Sequence, residues 1–375
     1  MIQTLMVAVP YTALGQQAAE IKDELLAVVE TVLAGGQYVL GPEVAAFERE
    51  FAAYCQAKWA IGVANGTDAL ILVLRQLGLR EGDEVITVPN SFIASASSII
   101  LAGGRPVFVD IGSDLNMDPN RVADAITPRT RAIMPVHLTG RIARMDVIRD
   151  IARRHNLFVL EDAAQAVGAE YRGGRAGGWG DAGCFSLHPL KNLHAFGDGG
   201  MITTSDETLR EQLLRARNHG LRNRDEGEFW SVNSRLDELQ AAMLRVQLRH
   251  LPRWTEERRR LALRYNELLR EFVHVPDEGV GEFSVHQTYV VQADDRDRLR
   301  QWLNEYGVEA RVHYPVPLHL QPMARSLGYG PGDFPRAERA AARILSLPLY
   351  PGLTYAQQDR VVELIAEFYG RNTGG

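Results

Sequence analysis

The fold is decided by residues 60–70, which read AIGVANGTDAL. The first four residues suit a buried strand, the middle ones suit a turn, and a helix-forming run begins at Asp68. Further apolar runs at residues 84–88, 106–109, 131–136 and 157–160 alternate with helical segments in the same way. Repeated strand and helix units predict a mainly parallel sheet with helices on both faces.

Composition is that of an ordinary globular protein. The chain has 375 residues, of which 46% are hydrophobic and 23% are charged, enough for one large core and a smaller one. A net charge of −6 provides no basic surface for nucleic acid, so we expect a local site for any anionic ligand. Two cysteines, Cys55 and Cys184, are too few for a disulfide framework. We expect no nucleic-acid partner and no metal site.

The N-terminus and the longest uncharged run both argue against membrane association. Residues 1–11 lack the basic segment of a secretory signal. The uncharged run at residues 85–101 contains Pro89, Asn90 and several serines, a pattern typical of a strand, a turn and a helix. The sequence therefore predicts a cytoplasmic protein without membrane contact.

Helices are predicted on both sides of the strand region. An amphipathic helix is expected over residues 17–33, with glycines up to Gly36 suited to a left-handed C-cap. Two long helices are predicted over residues 236–250 and 252–272, the second of which starts at Pro252.

The second of these long helices begins the predicted small domain. We expect Trp254 and the arginines at 258–260 to lie on its mainly solvated face. A composition shift rich in Pro and Gly occurs at residues 272–282. These features predict a large domain over residues 1–250 and a smaller C-terminal α+β domain over residues 251–375.

Two strand ends carry residues suited to a ligand. Asn65, Gly66 and Thr67 join a strand to a helix, where free amides and the helix dipole favour a phosphate. The alternative is a plain helix cap by Asn65 or Thr67. Phe92 follows the next strand and could lie on a conjugated ring or belong to the core.

An acid follows a further strand. Asp162 comes after the apolar run at 157–160 and before small residues at 163–169, so backbone can approach closely. A carboxylate presented in this way can pair with a ring nitrogen. The alternative is a capping or surface aspartate, although an unpaired buried carboxylate is unfavourable.

Lysine is rare in this chain, which draws attention to Lys191. Only Lys22, Lys58 and Lys191 occur, whereas arginine supplies the other 38 of 41 basic residues. A desolvated lysine can form a Schiff base, and arginine cannot. Lys191 follows a strand-like run and precedes the glycine-rich residues 197–200. The alternative is an ordinary surface lysine.

Together these segments supply a phosphate site, an aromatic ring, an acid and an amine. They match the phosphate, the ring, the ring nitrogen and the aldehyde of pyridoxal 5'-phosphate. The sequence therefore predicts this cofactor.

Nine motifs follow one another over nearly the whole chain: YVLGPEVAAFEREFAAYC, GVANGTDAL, GDEVITVPNSFIASA, PVHLTGRIARMD, EDAAQAVGA, FSLHPLKNLHAFGDGG, NSRLDELQAA, HYPVPLHLQP and LSLPLYPGLT. In this order they resemble those of the DegT/StrS-type nucleotide-sugar aminotransferases. The resemblance implies the type I fold of pyridoxal-phosphate-dependent transferases: an α/β large domain whose mostly parallel seven-stranded sheet is covered by helices, and a smaller C-terminal α+β domain. It also implies a homodimer with active sites at the subunit interface.

The resemblance further implies a role for each cofactor-binding residue. Lys191 forms the internal aldimine and moves the proton, and Asp162 pairs with the protonated ring nitrogen. The remaining residues are Gly66, Thr67 and Ser186 on the phosphate, Phe92 on the ring, Gln165 on the ring hydroxyl, and Asn233 on the phosphate from the partner subunit.

The same resemblance implies the substrates. Relatives that dehydrate sugars carry histidine in place of the lysine, so Lys191 indicates transamination. We expect L-glutamate as the donor and a nucleotide-linked keto-sugar as the acceptor. The expected substrate residues are His188, His313 and Tyr314 in the sugar site, with Arg222 and Arg224 at the nucleotide phosphates.

The motif around Lys191 indicates less clearly which carbon of the sugar receives the amino group. Residues 191–193 and 197–200 resemble relatives that act at C3, whereas His188 and Leu190 resemble relatives that act at C4. We favour C3. The alternatives are a C4 keto-sugar, a keto-cyclitol, or a cofactor-binding regulatory protein without turnover.

Overall fold

The computed structural model describes residues 9–372, which form an α/β fold with three separate sheets. The strands are, in chain order, β1 Trp59–Val63, β2 Glu84–Thr87, β3 Arg105–Phe108, β4 Thr130–Ile133, β5 Phe158–Asp162, β6 Glu170–Tyr171, β7 Gly174–Arg175, β8 Ala182–Ser186, β9 Gly200–Thr204, β10 Glu282–Phe283, β11 Tyr289–Gln292 and β12 Ile344–Leu347.

Helices connect most of these strands. The α-helices are α1 Leu14–Glu20, α2 Lys22–Gly35, α3 Pro42–Tyr54, α4 Gly66–Gln76, α5 Ile93–Leu101, α6 Pro119–Val122, α7 Met145–His155, α8 Glu207–Ala216, α9 Glu238–Leu269, α10 Arg296–Glu305, α11 Pro335–Arg343 and α12 Tyr355–Asn372. Short 3-10 turns lie at Ala123–Ala125, Leu138–Gly140, Leu318–Leu320 and Pro322–Leu327.

The central sheet has seven strands in the order β1-β9-β8-β5-β4-β2-β3. β9 is antiparallel to both of its neighbours, and the other pairs are parallel. The remaining six strands therefore share one direction, and their carboxyl ends lie at one edge of the sheet. This arrangement confirms the predicted mostly parallel seven-stranded sheet.

Both faces of the central sheet are buried. On one face, Phe185 of β8 meets Phe51 of α3 edge to face, with 5.0 Å between ring centroids. On the other face, Ile202 of β9 belongs to the same buried cluster as Val73 of α4 and Leu213 of α8. Burial on both faces explains why the strands read as continuous apolar runs.

The C-terminal part has its own buried cluster. β11 pairs antiparallel with β12, and Tyr289 of β11 stacks on Tyr265 of α9 at 5.1 Å. Leu299 of α10 and Ile365 of α12 belong to the same cluster. A two-stranded sheet covered by helices agrees with the predicted smaller α+β unit.

The predicted single helix over residues 17–33 is wrong, because the chain bends at Ile21 between α1 and α2. Ile21 has φ −116° and ψ 19°, which is not helical. Its side chain is buried with Leu25 and Trp254, so tertiary packing favours the bend. The predicted left-handed C-cap of this helical segment is confirmed, since Gly36 is left-handed and its amide donates to the Val32 carbonyl at 3.1 Å.

The predicted break at Pro252 is also wrong, and so is the predicted solvated position of Trp254 and Arg258, whereas Arg260 is exposed as predicted. α9 continues through Pro252, and the neighbouring Leu251 and Trp254 are each only 1% exposed. Their burial offsets the loss of one intrahelical hydrogen bond. Arg258 is 8% exposed and donates to the Leu349 carbonyl at 2.8 Å, and burial lowers its pKa to about 10.

The predicted domain boundary falls inside α9, which continues across residues 250 and 251. The division into residues 1–250 and 251–375 therefore stays a prediction. Residues 1–8 and 373–375 lie outside the described residues. The two predicted domain ranges and part of the signal-peptide prediction extend into them. Within residues 9–372, no helix combines the length and apolar character of a membrane span.

Candidate active site

The turn between β1 and α4 is built to face an anion. Asn65 caps α4, its Oδ1 accepting from the Asp68 amide at 2.8 Å. The amides of Gly66 and Thr67 have no acceptor within the helix because they lie in its first turn. A Cβ on Gly66 would lie 2.8 Å from the Ser186 Cβ, so glycine lets α4 approach β8. Two amides and the Ser186 residue thus meet at the positive end of a helix dipole.

Asp162 is the last residue of β5 and is 5% exposed. Its Oδ2 accepts from the Ser95 hydroxyl at 2.7 Å, and its Oδ1 accepts from the Ala164 amide at 3.3 Å. The alternative of a capping or surface aspartate does not apply, because the carboxylate is buried and is held by a buried serine. The strand end therefore presents a carboxyl group that is held in a fixed orientation.

Lys191 lies in the segment after β8, where its amide donates to the His188 carbonyl at 2.8 Å. Burial lowers the pKa of its amine to about 8, although the charge of Asp162 raises it. An amine with this pKa has a much larger neutral fraction at physiological pH than an exposed lysine. The side chain is thus near Asp162 and suited to act as a nucleophile.

Three residues predicted to bind cofactor or substrate lie together beside Lys191 and Asp162: Gln165, Tyr314 and Phe92. The Gln165 amide donates from Nε2 to the Tyr314 hydroxyl at 3.4 Å, and its Oε1 accepts from the Thr139 amide at 2.8 Å. The rings of Phe92 and Tyr314 are 5.7 Å apart. Phe92 is 52% exposed, so its ring has an open face for another planar group.

The two predicted histidines have different surroundings. His313 Nδ1 is 3.0 Å from the Ser346 hydroxyl. Burial lowers the pKa of His313 to about 4, with smaller contributions from nearby charges that include Lys191. His188 is exposed, and its Nδ1 accepts from the Leu190 amide at 3.2 Å. His313 is therefore a neutral ring near Lys191.

A turn suited to an anion, then a buried acid and then a buried lysine follow one another along the chain in the order found in a known protein family. The model of the DegT/DnrJ/EryC1/StrS aminotransferase family matches residues 19–366. The chain belongs to this aminotransferase family. The predicted family and the predicted aminotransferase class are thereby confirmed.

Individual relatives cover nearly the whole of this aminotransferase. The chain is 47% identical to a "Pleiotropic regulatory protein" from Geobacillus stearothermophilus, covering 96% of this chain and 98% of that protein. It is 43% identical to the "dTDP-3-amino-3,4,6-trideoxy-alpha-D-glucose transaminase" of Streptomyces venezuelae, covering 97% of each. The crystal structure of S. venezuelae DesV with a ketimine intermediate has a TM-score of 0.94 and 44% identity, covering 96% of this chain and 98% of that one.

The residues of this aminotransferase fit pyridoxal phosphate, which is confirmed as its cofactor. The close approach of Gly66 to Ser186 leaves amides and a hydroxyl for a phosphate. Asp162 offers a buried carboxylate for a protonated ring nitrogen, and Lys191 offers an amine of lowered pKa. The role of each individual residue stays a prediction.

Arg222, Arg224 and Asn233 lie on the segment between α8 and α9 and are exposed. Arg222 forms a long ion pair of 3.8 Å with Glu226, and Asn233 forms an isolated bridge with Asn218. Among residues 9–372, no described hydrogen bond or ring contact joins these three side chains to the Lys191 group. Their expected roles with nucleotide and partner subunit therefore stay predictions.

A buried pair beside Asp162 was not predicted. His137 Nε2 is 2.8 Å from Glu161 Oε2, and both side chains are fully buried. Glu161 also accepts from the amides of Gly177, Trp179 and Gly180 at 2.6–2.9 Å. Because neighbouring strand residues point to opposite faces, Glu161 anchors the loop behind the sheet while Asp162 faces the site. The glutamate at position 161, the first residue of the EDAAQ motif, was the signal in the sequence from which this pair could have been predicted.

Proposed function

We propose that this enzyme transfers an amino group from an amino acid to a nucleotide-linked keto-sugar, acting at C3 of the sugar. The observation that carries the proposal is the amine of Lys191, with a pKa of about 8, beside the buried Asp162 at the carboxyl edge of the sheet. The C3 preference is supported by the name of the 43% identical Streptomyces transaminase, which makes a 3-amino sugar.

The chain's residues divide the work as follows. Bound pyridoxal phosphate supplies an electron sink for removing a proton from the amine-bearing carbon. Gly66, Thr67 and Ser186 would hold its phosphate, and Asp162 would pair with its protonated ring nitrogen. The Lys191 amine would hold the aldehyde group of the cofactor and, once displaced by the substrate amine, would carry the proton from the amine-bearing carbon to the cofactor. Its lowered pKa favours this role at physiological pH.

We also propose L-glutamate as the donor and a homodimer as the active form, working in the cytoplasm. The dimer is supported by a cluster of exposed apolar residues at the start of α9, hereafter the α9 patch: Tyr38, Val39 and Phe196, which are 47%, 44% and 42% exposed. The backbone of Val39 bridges to Asp237, the Tyr38 carbonyl accepts from the Glu238 amide, and the Gln240 side chain bonds to the backbone of Phe196, so the three residues lie against the start of α9. An exposed apolar surface of this kind marks interfaces.

The test is a reaction panel with purified enzyme, L-glutamate and matched pairs of 3-keto and 4-keto nucleotide sugars. We expect 2-oxoglutarate and a 3-amino sugar, identified by mass and NMR. Lys191→Ala abolishes turnover, whereas Lys58→Ala, which changes an exposed lysine, retains it. Reaction with 4-keto sugars alone would overturn the C3 assignment, and full activity in Lys191→Ala would overturn the role of the lysine.

A second candidate is a cofactor-binding regulator without turnover, favoured by the name of the 47% identical Geobacillus protein. The intact lysine, acid and phosphate turn argue for turnover, because a regulator has no need of a lysine that moves protons. The glutamate half-reaction separates the two candidates. A regulator retains the bound cofactor unchanged when glutamate is added, whereas the transaminase converts it to the amine form and releases 2-oxoglutarate.

A further inference from the structure

Two buried serines lie behind Asp162 and have no assigned role. Ser95 Oγ lies 2.7 Å from Asp162 Oδ2, and Ser91 Oγ lies 2.7 Å from Ser95 Oγ. All three side chains are nearly inaccessible, with exposures of 3% for Ser91, 1% for Ser95 and 5% for Asp162. The hydroxyl groups therefore form a chain that ends on the carboxylate.

The donor and acceptor in each of these hydrogen bonds follow from the Asp162 carboxylate, on which the series ends. An ionised carboxylate only accepts hydrogen bonds, so Ser95 donates its single proton to Asp162 Oδ2. Ser95 Oγ can then only accept from Ser91, which must donate. Hydrogen bonds to an ionised acceptor are short and roughly twice as strong as neutral ones, in agreement with the 2.7 Å between Ser95 Oγ and Asp162 Oδ2.

The two oxygens of Asp162 are thereby made unequal. Oδ2 is occupied by a short bond from a buried hydroxyl, whereas Oδ1 receives only the Ala164 amide at 3.3 Å. We propose that Ser95, itself oriented by Ser91, is a positioning residue that fixes the Asp162 carboxylate so that Oδ1 remains the oxygen available to a protonated ring nitrogen. This inference rests on the proposed cofactor chemistry of Asp162.

The start of α5 links this carboxylate to the expected ring-stacking residue. Phe92 is the N-cap residue of α5 in an extended conformation, and Ser95 lies three residues later in the first turn of the helix. The Ser95 amide donates to the Phe92 carbonyl at 3.1 Å. One helical turn therefore sets both the ring of Phe92 and the orientation of Asp162.

Removing the Ser95 hydroxyl leaves Oδ2 buried without this donor. The carboxylate then loses the bond that fixes its orientation, so Oδ1 is no longer held in place for the ring nitrogen. We expect Ser95→Ala to raise the dissociation constant of pyridoxal phosphate roughly tenfold to a hundredfold. We also expect it to shift the pH midpoint of the bound cofactor's absorbance.

The experiment measures both quantities on full-length protein stripped of cofactor and titrated with pyridoxal phosphate. Ser95→Thr keeps a hydroxyl and should bind nearly as the wild type does, and Ser91→Ala should fall between the wild type and Ser95→Ala. The matched control is Ser98→Ala. Ser98 is equally buried in α5 and bonds only to the Ser95 carbonyl at 3.2 Å, so its loss perturbs the helix without removing a donor from Asp162.

Thermal unfolding of the cofactor-free proteins separates positioning from stability. A purely structural role would lower the unfolding temperature of Ser95→Ala without moving the pH midpoint, and that result would overturn the proposal. Equal affinity and equal midpoint in Ser95→Ala and Ser98→Ala would overturn it as well. If Ser95→Ala does not fold, Ser91→Ala is measured in its place. A Ser91→Ala protein with the wild-type affinity for pyridoxal phosphate and the wild-type pH midpoint would refute the proposed series of hydrogen-bond donors. Failure of the wild type itself to bind pyridoxal phosphate would overturn the proposed function, a result distinct from these.

Discussion

Two opposing effects set the pKa of the Lys191 amine, since burial lowers it to about 8 while the charge of Asp162 raises it. Above that pH the amine is mostly neutral and can attack an aldehyde, and below it the amine is mostly protonated. We therefore expect the rate at which cofactor-free protein attaches pyridoxal phosphate to rise with pH through about 8.

The Asp162→Asn variant tests the sign of this coupling. Loss of the negative charge removes the effect that raises the Lys191 pKa, so the midpoint of the rate profile should move to lower pH. The measurement is stopped-flow absorbance of cofactor attachment across a pH series. A control, Asp297→Asn, changes an aspartate on the exposed side of α10 and should leave the midpoint unchanged. An upward shift in Asp162→Asn would contradict the assigned coupling.

At the scale of elements, the approach of α4 to β8 depends on Gly66. An added Cβ would lie 2.8 Å from the Ser186 Cβ and crowd the turn expected to hold phosphate. We expect Gly66→Ala to weaken cofactor binding and to lower the free energy of unfolding by about 1–3 kcal/mol. Isothermal titration and urea unfolding measure the two effects. Gly15→Ala, in α1 with nothing within 4 Å of an added Cβ, should leave cofactor affinity unchanged.

The continuous helix α9 leads to a separate stability prediction. Trp254 is 1% exposed and packs with Ile21 and Leu25. Trp254→Ala should lower the free energy of unfolding by about 3–5 kcal/mol, because it leaves a large cavity. Leu263→Ala changes a residue of the same helix that is 56% exposed, and its effect should be within about 0.5 kcal/mol. Equal urea midpoints for the two variants would refute the packing described for Trp254.

What the sequence predicted well depends on local patterns. The turn at residues 65–67 and the acid at Asp162 follow apolar strands, and parallel strands bring such ends to one edge. The bend at Ile21 and the helix through Pro252 were missed because burial against distant elements overrides local preference. The bond between Ser95 and Asp162 joins residues 67 positions apart, and no spacing in the sequence indicates it.

At the scale of the whole molecule, the α9 patch should lie in the interface of a homodimer. Val39 is 44% exposed, so Val39→Asp should leave the protomer folded while burying a charge in the interface. Analytical ultracentrifugation should then find monomer at concentrations where the wild type is dimeric. Val280→Asp, at a position that is 101% exposed in a different loop, is the matched control. A Val39→Asp protein that stays dimeric would place the interface elsewhere.

The expected role of Asn233 can be tested only between subunits. If Asn233 completes the phosphate site of the partner subunit, Lys191→Ala and Asn233→Ala damage different halves of the same site. A mixed dimer then contains one intact site, formed by Lys191 of the second variant and Asn233 of the first. Random exchange makes about half of the dimers mixed, so activity should recover to about a quarter of the wild-type value. If Asn233 acts within its own chain, the mixed dimer has no complete site, and activity after co-expression will not exceed the mean of the two separate variants.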